Sequence, residues 1–337
     1  MPQVESPPPQ GTLEGWPISF ADVLTAERGI RAHVSPTPLR RYAPLNAAVG
    51  GGIEVWVKHE NQNPTNSFKI RNALSVMARL PAEDRRRGVV AATRGNHGLG
   101  VAYTGQLLNV PVTICVPLGN NPDKNEGMRG YGATLVEEGS DYDESLAVAE
   151  RLVYERGVRL IHSTNDRDVI AGAATLTLEI LRERPELDAL VVSVGGGSQA
   201  VGAITVAQTL KPSLRIYAVQ ATRASAAHDS WHAGRAVTRT SADTFADGLA
   251  TRSVYAMTFE PLRRGLAGFV VATEAQIAEA LRILLATTHN LAEGAGAAGL
   301  AGLFLLRGAL AGQRVGIIIS GGNIDAATLR RVVNREI

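Results

Sequence analysis

The chain has 337 residues and a formal net charge of +2, and it is 45% hydrophobic and 20% charged, as expected of a globular protein with one large or two ordinary domains. It has no long basic run that would support nucleic-acid binding and no apolar run as long as a membrane span, and its single cysteine, Cys115, excludes an intramolecular disulfide. The first residues, "MPQVESPPPQGT", lack the regions of a signal peptide, and their prolines predict a flexible leader over residues 1–12. Together these features predict a soluble cytoplasmic protein with neither nucleic-acid nor membrane partners.

The first informative segment is "NPTNSFKIRNA", residues 63–73, where turn-forming residues precede a helical pattern. Apolar residues then repeat at i, i+3, i+4 and i+7, which predicts an amphipathic helix with Asn66 or Ser67 as its N-cap. Lys69 then falls in the first turn, at the positive end of the helix dipole, where a cation is disfavoured and the lysine pKa should fall. A neutral lysine amine is a nucleophile, and such lysines usually form Schiff bases.

Further along the chain, short β-rich runs alternate with amphipathic helical runs. Strands are predicted at 88–93, 111–117, 133–139, 158–162, 189–194, 215–220 and 315–320. Helices are predicted between them, among them about 97–108 and about 168–184, and a last helix follows the last strand. This alternation predicts an α/β fold whose parallel sheets carry helices on both faces. Because the strands are continuously apolar rather than alternating, we expect them to be buried.

Three of the predicted strands end in loops that could carry chemistry, since ligands of parallel α/β folds bind at the carboxyl ends of strands. The loops are "TRGNHG" (93–98), "GGGS" (195–198) and "GGN" (321–323). Consecutive glycines before a helix let backbone N–H groups surround a phosphate. The glycine loop lacks the GK[ST] ending of a Walker A motif, and the next strand ends in Gln220 where a dinucleotide fold places an acidic residue. A cofactor with a single phosphate therefore fits better than a dinucleotide.

The other two loops supply polar groups. "TRGNHG" offers Thr93, Asn96, His97 and backbone N–H groups to a substrate carboxylate, unless these residues only cap the following helix. Ser320 places a hydroxyl at the end of the last strand. Together with Lys69 and the glycine loop that could bind a phosphate, these polar groups define a site whose simplest ligand is an aldehyde that carries a phosphate. Pyridoxal phosphate is such an aldehyde, and it acts as an electron sink for carbanions next to an amine.

These motifs resemble those of the fold type II, or tryptophan synthase β-like, pyridoxal phosphate enzymes. "PTNSFKIRNA" resembles their "PTGSFKxRGA", "TRGNHGLGVA" resembles "SSGNHAQGVA", and "GGGS" resembles their tetraglycine loop. "EGAGAAGLAGL" (293–303) resembles "EPSGAVALAAL", and "IIISGGNID" resembles "VVLSGGNVD". The matches span nearly the whole chain in the family order. The serine/threonine ammonia-lyase and serine racemase branch is the most similar one.

The resemblance implies a two-domain fold in which each domain is a mostly parallel sheet flanked by helices, with the cofactor in the cleft between them. The large cofactor-binding domain is expected to comprise residues 1–88 and 165–337, and the small substrate-side domain residues 89–164. A homodimer formed through the large domain is expected. No regulatory domain is expected after the "SGGNID" segment.

The resemblance also assigns the cofactor contacts. Lys69 is expected to form the Schiff base, Phe68 to pack against the pyridine ring, and Ser320 to face the ring nitrogen. Asn96 is expected to hydrogen-bond the phenolic oxygen, and Glu293 to lie near the ring or the substrate amine. The phosphate is expected to lie on four consecutive residues, namely Gly195, Gly196, Gly197 and Ser198.

On the substrate side, the resemblance implies that Thr93, Asn96 and His97 take the carboxylate. Asn66, Ser67 and Arg94 complete the predicted substrate contacts. Arg94 replaces the serine that shuttles a proton in racemases, and because arginine stays protonated we expect weak or no racemisation. Arg94 either recognises an acidic β-substituent or points to solvent.

The implied reaction is an α,β-elimination that converts a β-hydroxy-α-amino acid to a 2-oxo acid and ammonia, with L-threonine or L-serine as the first candidates. The alternatives are another substrate for the same chemistry (a 3-hydroxyaspartate, a 3-arylserine or diaminopropionate), β-replacement or racemisation, and a non-catalytic ligand-binding protein. No metal site is expected, because Gln220 and Ala226 occupy the places of the carboxylates that bind a divalent cation in racemase-like members. His228 and His232 are spaced to chelate a metal but lack a third ligand.

Overall fold

The fold was taken from a computed structural model that describes residues 15–337, so the leader predicted over residues 1–12 lies outside the described residues. The ten β-strands of this part are β1 (Leu39–Arg41), β2 (Glu54–His59), β3 (Val89–Ala92), β4 (Val112–Val116), β5 (Thr134–Glu137), β6 (Arg159–Leu160), β7 (Ala189–Ser193), β8 (Arg215–Ala221), β9 (Gly268–Ala272) and β10 (Arg314–Ile319). The fourteen α-helices of the same residues are α1 (Phe20–Arg31), α2 (Ala43–Val49), α3 (Lys69–Met77), α4 (Ala82–Arg87), α5 (Asn96–Leu108), α6 (Pro122–Gly130), α7 (Tyr142–Arg156), α8 (Arg167–Glu183), α9 (Ser198–Leu210), α10 (Ala226–Ala233), α11 (Ala256–Gly265), α12 (Glu274–Thr288), α13 (Gly294–Leu306) and α14 (Ala326–Val333).

The strands form two sheets, and the predicted α/β class is confirmed. One sheet has six strands in the order β1-β2-β10-β7-β8-β9, and the other has four in the order β5-β4-β3-β6. Strand β1 pairs with β2 antiparallel, and the other neighbouring pairs are parallel. The four-stranded sheet takes its strands from between residues 89 and 160 and the six-stranded sheet takes the rest. The exact limits of the two domains stay a prediction.

The six-stranded sheet is covered on both faces, which explains its continuously apolar strands. Helices α1, α8 and α9 pack on one face, and α2, α12 and α13 pack on the other. The glycines and alanines of α13 let it approach the strands closely. A Cβ at Gly302, for example, would lie 2.8 Å from Cβ of Val219. A helix that is apolar all round, as α13 is, belongs inside a core rather than at a surface.

Helix α3 connects the cores of the two sheets. Ile70 and Leu74 pack in the core that contains α8, whereas Ala73 and Met77 pack in the core that contains β3 and α5. Lys69, the first residue of α3, therefore lies at the junction between the sheets.

A buried group of charges holds α3 in this position. Arg71 Nε lies 2.7 Å from Glu60 Oε2, and Arg71 Nη2 lies 2.8 Å from Glu179 Oε2. Lys58 Nζ lies 2.7 Å from the same Glu179 oxygen. All four side chains are buried, and their formal charges cancel. Burial favours a neutral arginine, but the two carboxylates outweigh it and raise the pKa of Arg71 above its ordinary value.

The prediction of the N-cap of α3 was wrong. The cap position belongs to Phe68 and makes no side-chain capping bond. Asn66 instead adopts a left-handed conformation with φ 51°, and Ser67 pairs with Gly321 in an isolated β-bridge. Both residues are therefore held by the strand-end loop that follows β10, and neither takes the N-cap position that local propensity favours. Within residues 15–337, no helix is both long and apolar enough to cross a membrane.

Candidate active site

A cavity that opens to solvent lies where the carboxyl ends of β3, β7 and β10 meet the N-terminal ends of α3, α5 and α9. This is the sheet edge at which parallel α/β folds bind ligands. The cavity is lined by twelve of the residues predicted to contact the cofactor or substrate, namely Phe68, Lys69, Thr93, Arg94, Asn96, His97, Gly195, Gly196, Gly197, Ser198, Glu293 and Ser320.

Lys69 projects into this cavity from the start of α3. Its Nζ donates a hydrogen bond to the backbone oxygen of Ser163 at 3.1 Å and lies 4.9 Å from the centre of the Phe68 ring. Desolvation lowers the pKa of Lys69 to about 8, and the attraction of Glu293 partly opposes this shift. The pKa is thus lowered as predicted, with burial as its largest cause. The neutral amine is accessible near neutral pH, as a nucleophile requires.

The glycine loop after β7 forms a cradle at the N-terminus of α9. Gly197 has φ 101°, a conformation that favours glycine, and a Cβ at Gly196 would overlap the Thr164 side chain. Thr258 Oγ1 holds the loop by donating to the Gly196 oxygen at 2.8 Å. The first N–H groups of α9 have no partner within the helix, and they carry the positive end of its dipole. A loop without side chains at a helix N-terminus fits a phosphate group.

The cradle gives a first prediction. Replacing Gly196 with alanine places a methyl group against Thr164, so the loop must move. Its backbone N–H groups then no longer all point toward the phosphate. We expect Gly196→Ala to raise the dissociation constant for pyridoxal phosphate by about tenfold or more, the cost of roughly one charge-assisted hydrogen bond. Titration of the apoenzyme with the cofactor measures this constant. Gly308→Ala is the matched control, since a Cβ at Gly308 meets nothing within 4 Å.

The loop after β3 is shaped by Thr93. Its Oγ1 accepts hydrogen bonds from the N–H groups of Gly95 at 2.9 Å and Gly98 at 3.2 Å. His97 Nε2 donates to the Ile161 oxygen at 2.8 Å, and burial lowers the pKa of His97 to about 3, so the ring is neutral. A neutral ring with its only N–H so engaged has no side-chain donor left for a carboxylate. Any contribution of His97 to that site must come from its backbone N–H at the start of α5.

Phe68 and Ser320 are tied together, since the Phe68 N–H donates to the Ser320 oxygen at 3.0 Å. Glu293 is buried beside Gly321, whose backbone oxygen accepts the Glu293 N–H at 3.0 Å, and its Oε1 accepts from Asn96 Nδ2 at 2.5 Å. Burial raises the pKa of Glu293 despite the nearby Lys124 ammonium.

Two predicted substrate residues lie apart from this site. Neither Asn66 nor Ser67 is among the residues that line the cavity. Ser67 is buried and its Oγ accepts from the Lys69 N–H at 3.4 Å, whereas Asn66 is exposed beside Asn323. Their role as substrate contacts stays a prediction that this geometry does not favour.

Sequence reasoning missed several residues of the cavity wall. Lys124, at the start of α6, forms a 2.7 Å ion pair with Asp247, which belongs to the loop before α11, and this pair spans the cavity. Tyr142, at the start of α7, lies 2.8 Å from the Ser163 hydroxyl. A signal for both was available, because α6 and α7 follow the carboxyl ends of β4 and β5 on the same sheet edge. Asp247 follows no strand, and no local pattern marks it.

The two histidines of α10 pack against each other. The rings of His228 and His232 lie 4.4 Å apart, with a tilted arrangement. Within residues 15–337, no group of three or more His, Cys, Asp or Glu side chains could hold a metal ion.

Comparison with known proteins agrees with this geometry. A sequence model of the family described as "Pyridoxal-phosphate dependent enzyme" matches residues 30–321. An L-threonine ammonia-lyase of Thermotoga maritima is 36% identical over 94% of this chain and 79% of its own length. An L-threo-3-hydroxyaspartate ammonia-lyase of Saccharomyces cerevisiae is 32% identical over 91% of this chain and 94% of its own length.

The fold has a close counterpart among solved structures. A crystal structure of the T.th. threonine deaminase superposes with a TM-score of 0.85 and 34% sequence identity, covering 91% of this chain and 99% of that chain. The family match covers most of the chain, and the lysine and the glycine cradle line one cavity as the cofactor requires. The chain therefore belongs to the pyridoxal-phosphate dependent enzyme family, in its fold type II branch.

Proposed function

We propose that this enzyme is an ammonia-lyase that eliminates the β-hydroxyl group of a β-hydroxy-α-amino acid, with L-threonine or L-serine as its substrate, and yields a 2-oxo acid and ammonia. The observation that carries the proposal is a desolvated Lys69 amine in one cavity with a side-chain-free phosphate cradle. Relatives at 36% and 39% identity over most of the chain are named L-threonine ammonia-lyases.

The residues of the cavity fit pyridoxal phosphate. Gly195, Gly196, Gly197 and Ser198 would hold the phosphate, and Phe68 would pack against the ring. Ser320 would face the ring nitrogen with a neutral hydroxyl, and Asn96 would donate to the phenolic oxygen. When bound, pyridoxal phosphate supplies an aldehyde that condenses with an amine and a conjugated ring that accepts the electron pair of a carbanion.

Lys69 supplies the proton chemistry. With cofactor and substrate bound, the neutral Lys69 Nζ would accept the proton from the substrate α-carbon, and the electron pair of the broken C–H bond would remain on the substrate side. Because desolvation lowers the pKa of Lys69 to about 8, this amine is neutral often enough to act as a base near neutral pH.

Loss of the β-hydroxyl completes the elimination. The C–O bond breaks with its electron pair, and the proton held on Lys69 Nζ passes to the leaving oxygen, so that water departs. The released enamine then reacts with water to give the 2-oxo acid and ammonia. Substrate orientation falls to the loop after β3, where the N-terminal N–H groups of α5 and the Thr93 hydroxyl would receive the carboxylate.

An assay of 2-oxo acid formation tests the proposal. The panel holds L-threonine, L-serine, both 3-hydroxyaspartate diastereomers, a 3-phenylserine and diaminopropionate. We expect turnover of threonine or serine. Turnover of another member alone would refute the threonine and serine assignment while keeping the elimination chemistry, and no turnover of any member would refute the proposed lyase.

A second candidate substrate is a 3-hydroxyaspartate. The Arg94 side chain is exposed at the cavity wall, where its guanidinium can meet a second carboxylate from the substrate. The Saccharomyces relative is named for the L-threo isomer of this compound.

Substitution of Arg94 separates the two candidates. If Arg94 binds a β-carboxylate, Arg94→Ser should lower kcat/KM for L-threo-3-hydroxyaspartate by about tenfold or more, the value of one charge-assisted hydrogen bond, and leave that for L-threonine nearly unchanged. Arg94→Lys, which keeps the charge, should lower kcat/KM for L-threo-3-hydroxyaspartate by a smaller factor. Arg263→Ser, in an exposed pair with Glu260, is the control for loss of a surface arginine. Equal losses for both substrates would exclude this role of Arg94.

We further propose that the enzyme works as a homodimer in the cytoplasm. Its one cysteine, Cys115, is a buried free thiol, as is usual where disulfides do not form. The dimer rests on the family resemblance, and sedimentation or light scattering of the purified protein measures it. A monomeric mass at micromolar concentration would contradict it.

A further inference from the structure

Three asparagines and a glutamate form a hydrogen-bonded chain that joins the segment before α3 to the loops that follow β3 and β10. Asn323 Nδ2 donates to the backbone oxygen of Thr65 at 2.9 Å and also to Asn96 Oδ1 at 2.7 Å. Asn96 Nδ2 in turn donates to Glu293 Oε1 at 2.5 Å. At the outer end, Asn66 Nδ2 lies 3.4 Å from Asn323 Oδ1.

The direction of this chain is determined at one end. A backbone carbonyl can only accept hydrogen bonds, so the Asn323 group that faces the Thr65 oxygen must be the NH₂ group. That NH₂ group has two hydrogens, and the second one goes to Asn96. The atom of Asn96 that faces Asn323 is therefore the oxygen. It follows that the NH₂ group of Asn96 faces the cavity and Glu293.

The inner end of the chain is also held. Glu293 is buried, and the Glu293 carboxylate lies so close to Gly321 that a Cβ there would overlap it. Glu293 Oε1 accepts one of the two Asn96 Nδ2 hydrogens. The remaining hydrogen is available to a ligand in the cavity that Asn96 lines.

We propose that Asn323 is a positioning residue that fixes the amide orientation of Asn96, so that Asn96 presents a donor and not an acceptor to the cofactor. The inference rests on the proposed function, in which Asn96 donates to the phenolic oxygen of pyridoxal phosphate. If the amide were reversed, the Asn96 oxygen would face both that oxygen and the Glu293 carboxylate. Acceptors that face one another without a proton between them are destabilising in a buried site.

Asn323→Asp tests the inference, because a carboxylate cannot donate to Asn96 or to Thr65. If the Asn96 amide then reverses, its NH₂ group donates to the introduced carboxylate and no longer donates to the phenolic oxygen of the cofactor. We expect the dissociation constant for pyridoxal phosphate to rise by about tenfold or more. We also expect the absorption of the bound cofactor to shift toward the form with an un-ionised phenolic oxygen.

Asn46→Asp is the matched control. It introduces the same charge and keeps the hydrogen bond that the Asn46 side chain makes. Asn46 Oδ1 accepts from the Val55 N–H at 3.0 Å, and a carboxylate can accept in the same way. Asn46 does not line the cavity. We expect wild-type affinity and absorption. Should Asn323→Asp fold poorly, Asn323→Ala removes the donor without adding a charge, and it should weaken cofactor binding in the same direction.

A double variant separates orientation from support of the fold. In Asn323→Asp combined with Glu293→Gln, the reversed Asn96 amide has a partner at each end, because the introduced amide at position 293 can donate to the Asn96 oxygen. The thermal unfolding midpoint of the apoenzyme should recover relative to Asn323→Asp. Cofactor affinity should stay low, since Asn96 still presents its oxygen. If Asn323 only supported the fold, midpoint and affinity would recover together.

The outcomes distinguish the two levels of the proposal. Wild-type protein must show a visible cofactor band that Lys69→Ala abolishes, and absence of that band would refute the proposed function together with the inference. If the band is present and Asn323→Asp binds the cofactor with wild-type affinity and absorption, the inference alone is wrong. Recovery of affinity in the double variant would likewise refute it.

Discussion

Replacing Lys69 with alanine is expected to abolish the visible absorption of bound pyridoxal phosphate and to lower turnover of every substrate by about 10³-fold to 10⁴-fold. Burial lowers the pKa of Lys69 to about 8. Within residues 15–337, Lys69 is the only lysine of the cavity whose pKa is lowered overall. Lys124, the other lysine of the cavity, pairs with Asp247, and despite its burial this pairing raises its pKa, so it stays protonated and cannot replace Lys69 as a base. Absorption spectra and steady-state 2-oxo acid assays measure both effects.

Two comparisons sharpen this experiment. Lys211→Ala removes a half-buried lysine outside the cavity whose side chain donates to the Pro185 oxygen, and it should leave spectrum and turnover unchanged. A small primary amine added to Lys69→Ala should restore part of the turnover, because it supplies the missing base. Full activity of Lys69→Ala would exclude the proposed mechanism.

The second large effect is expected in stability. Arg71→Met should lower the free energy of unfolding by about 3–5 kcal/mol, the usual cost of removing one partner of a buried ion pair. The substitution leaves Glu60 and Glu179 buried, and only Glu179 keeps an ion pair, with Lys58. Denaturant unfolding measures the change. Because Arg71 lies two residues after Lys69, we also expect weaker cofactor binding by the folded fraction.

The control for Arg71 is an arginine in solvent. Arg263→Met breaks an exposed pair with Glu260 and should change stability very little, since water already solvates both charges. Adding Glu60→Gln to Arg71→Met removes the one carboxylate left without a cation and should recover part of the lost stability. An unfolding midpoint for Arg71→Met equal to that of the wild type would show that the buried charges do not hold α3 in place.

Much of the fold and part of the site could be predicted from local patterns. The seven predicted strands all exist, and five of them are largely buried, as apolar runs bounded by turns should be. The expectation of burial was wrong for β5 and β6, where no residue is buried. Strands β1, β2 and β9 and the first helices were not predicted. The loops after β3, β7 and β10 converge on one cavity, since the carboxyl ends of parallel strands share an edge.

The sequence by itself determined the parts of this protein whose signals are local: the α/β class, Lys69 in the first turn of a helix, and the glycine cradle before α9. Only the tertiary structure decided which residues meet across the cleft. Lys124 reaches Asp247 over 123 positions of the chain, and Asn323 reaches Asn96 over 227. It also decided that Asn66 does not cap α3, because the loop after β10 holds that segment. Such contacts depend on how two sheets pack against one helix, and no short stretch of sequence encodes that packing.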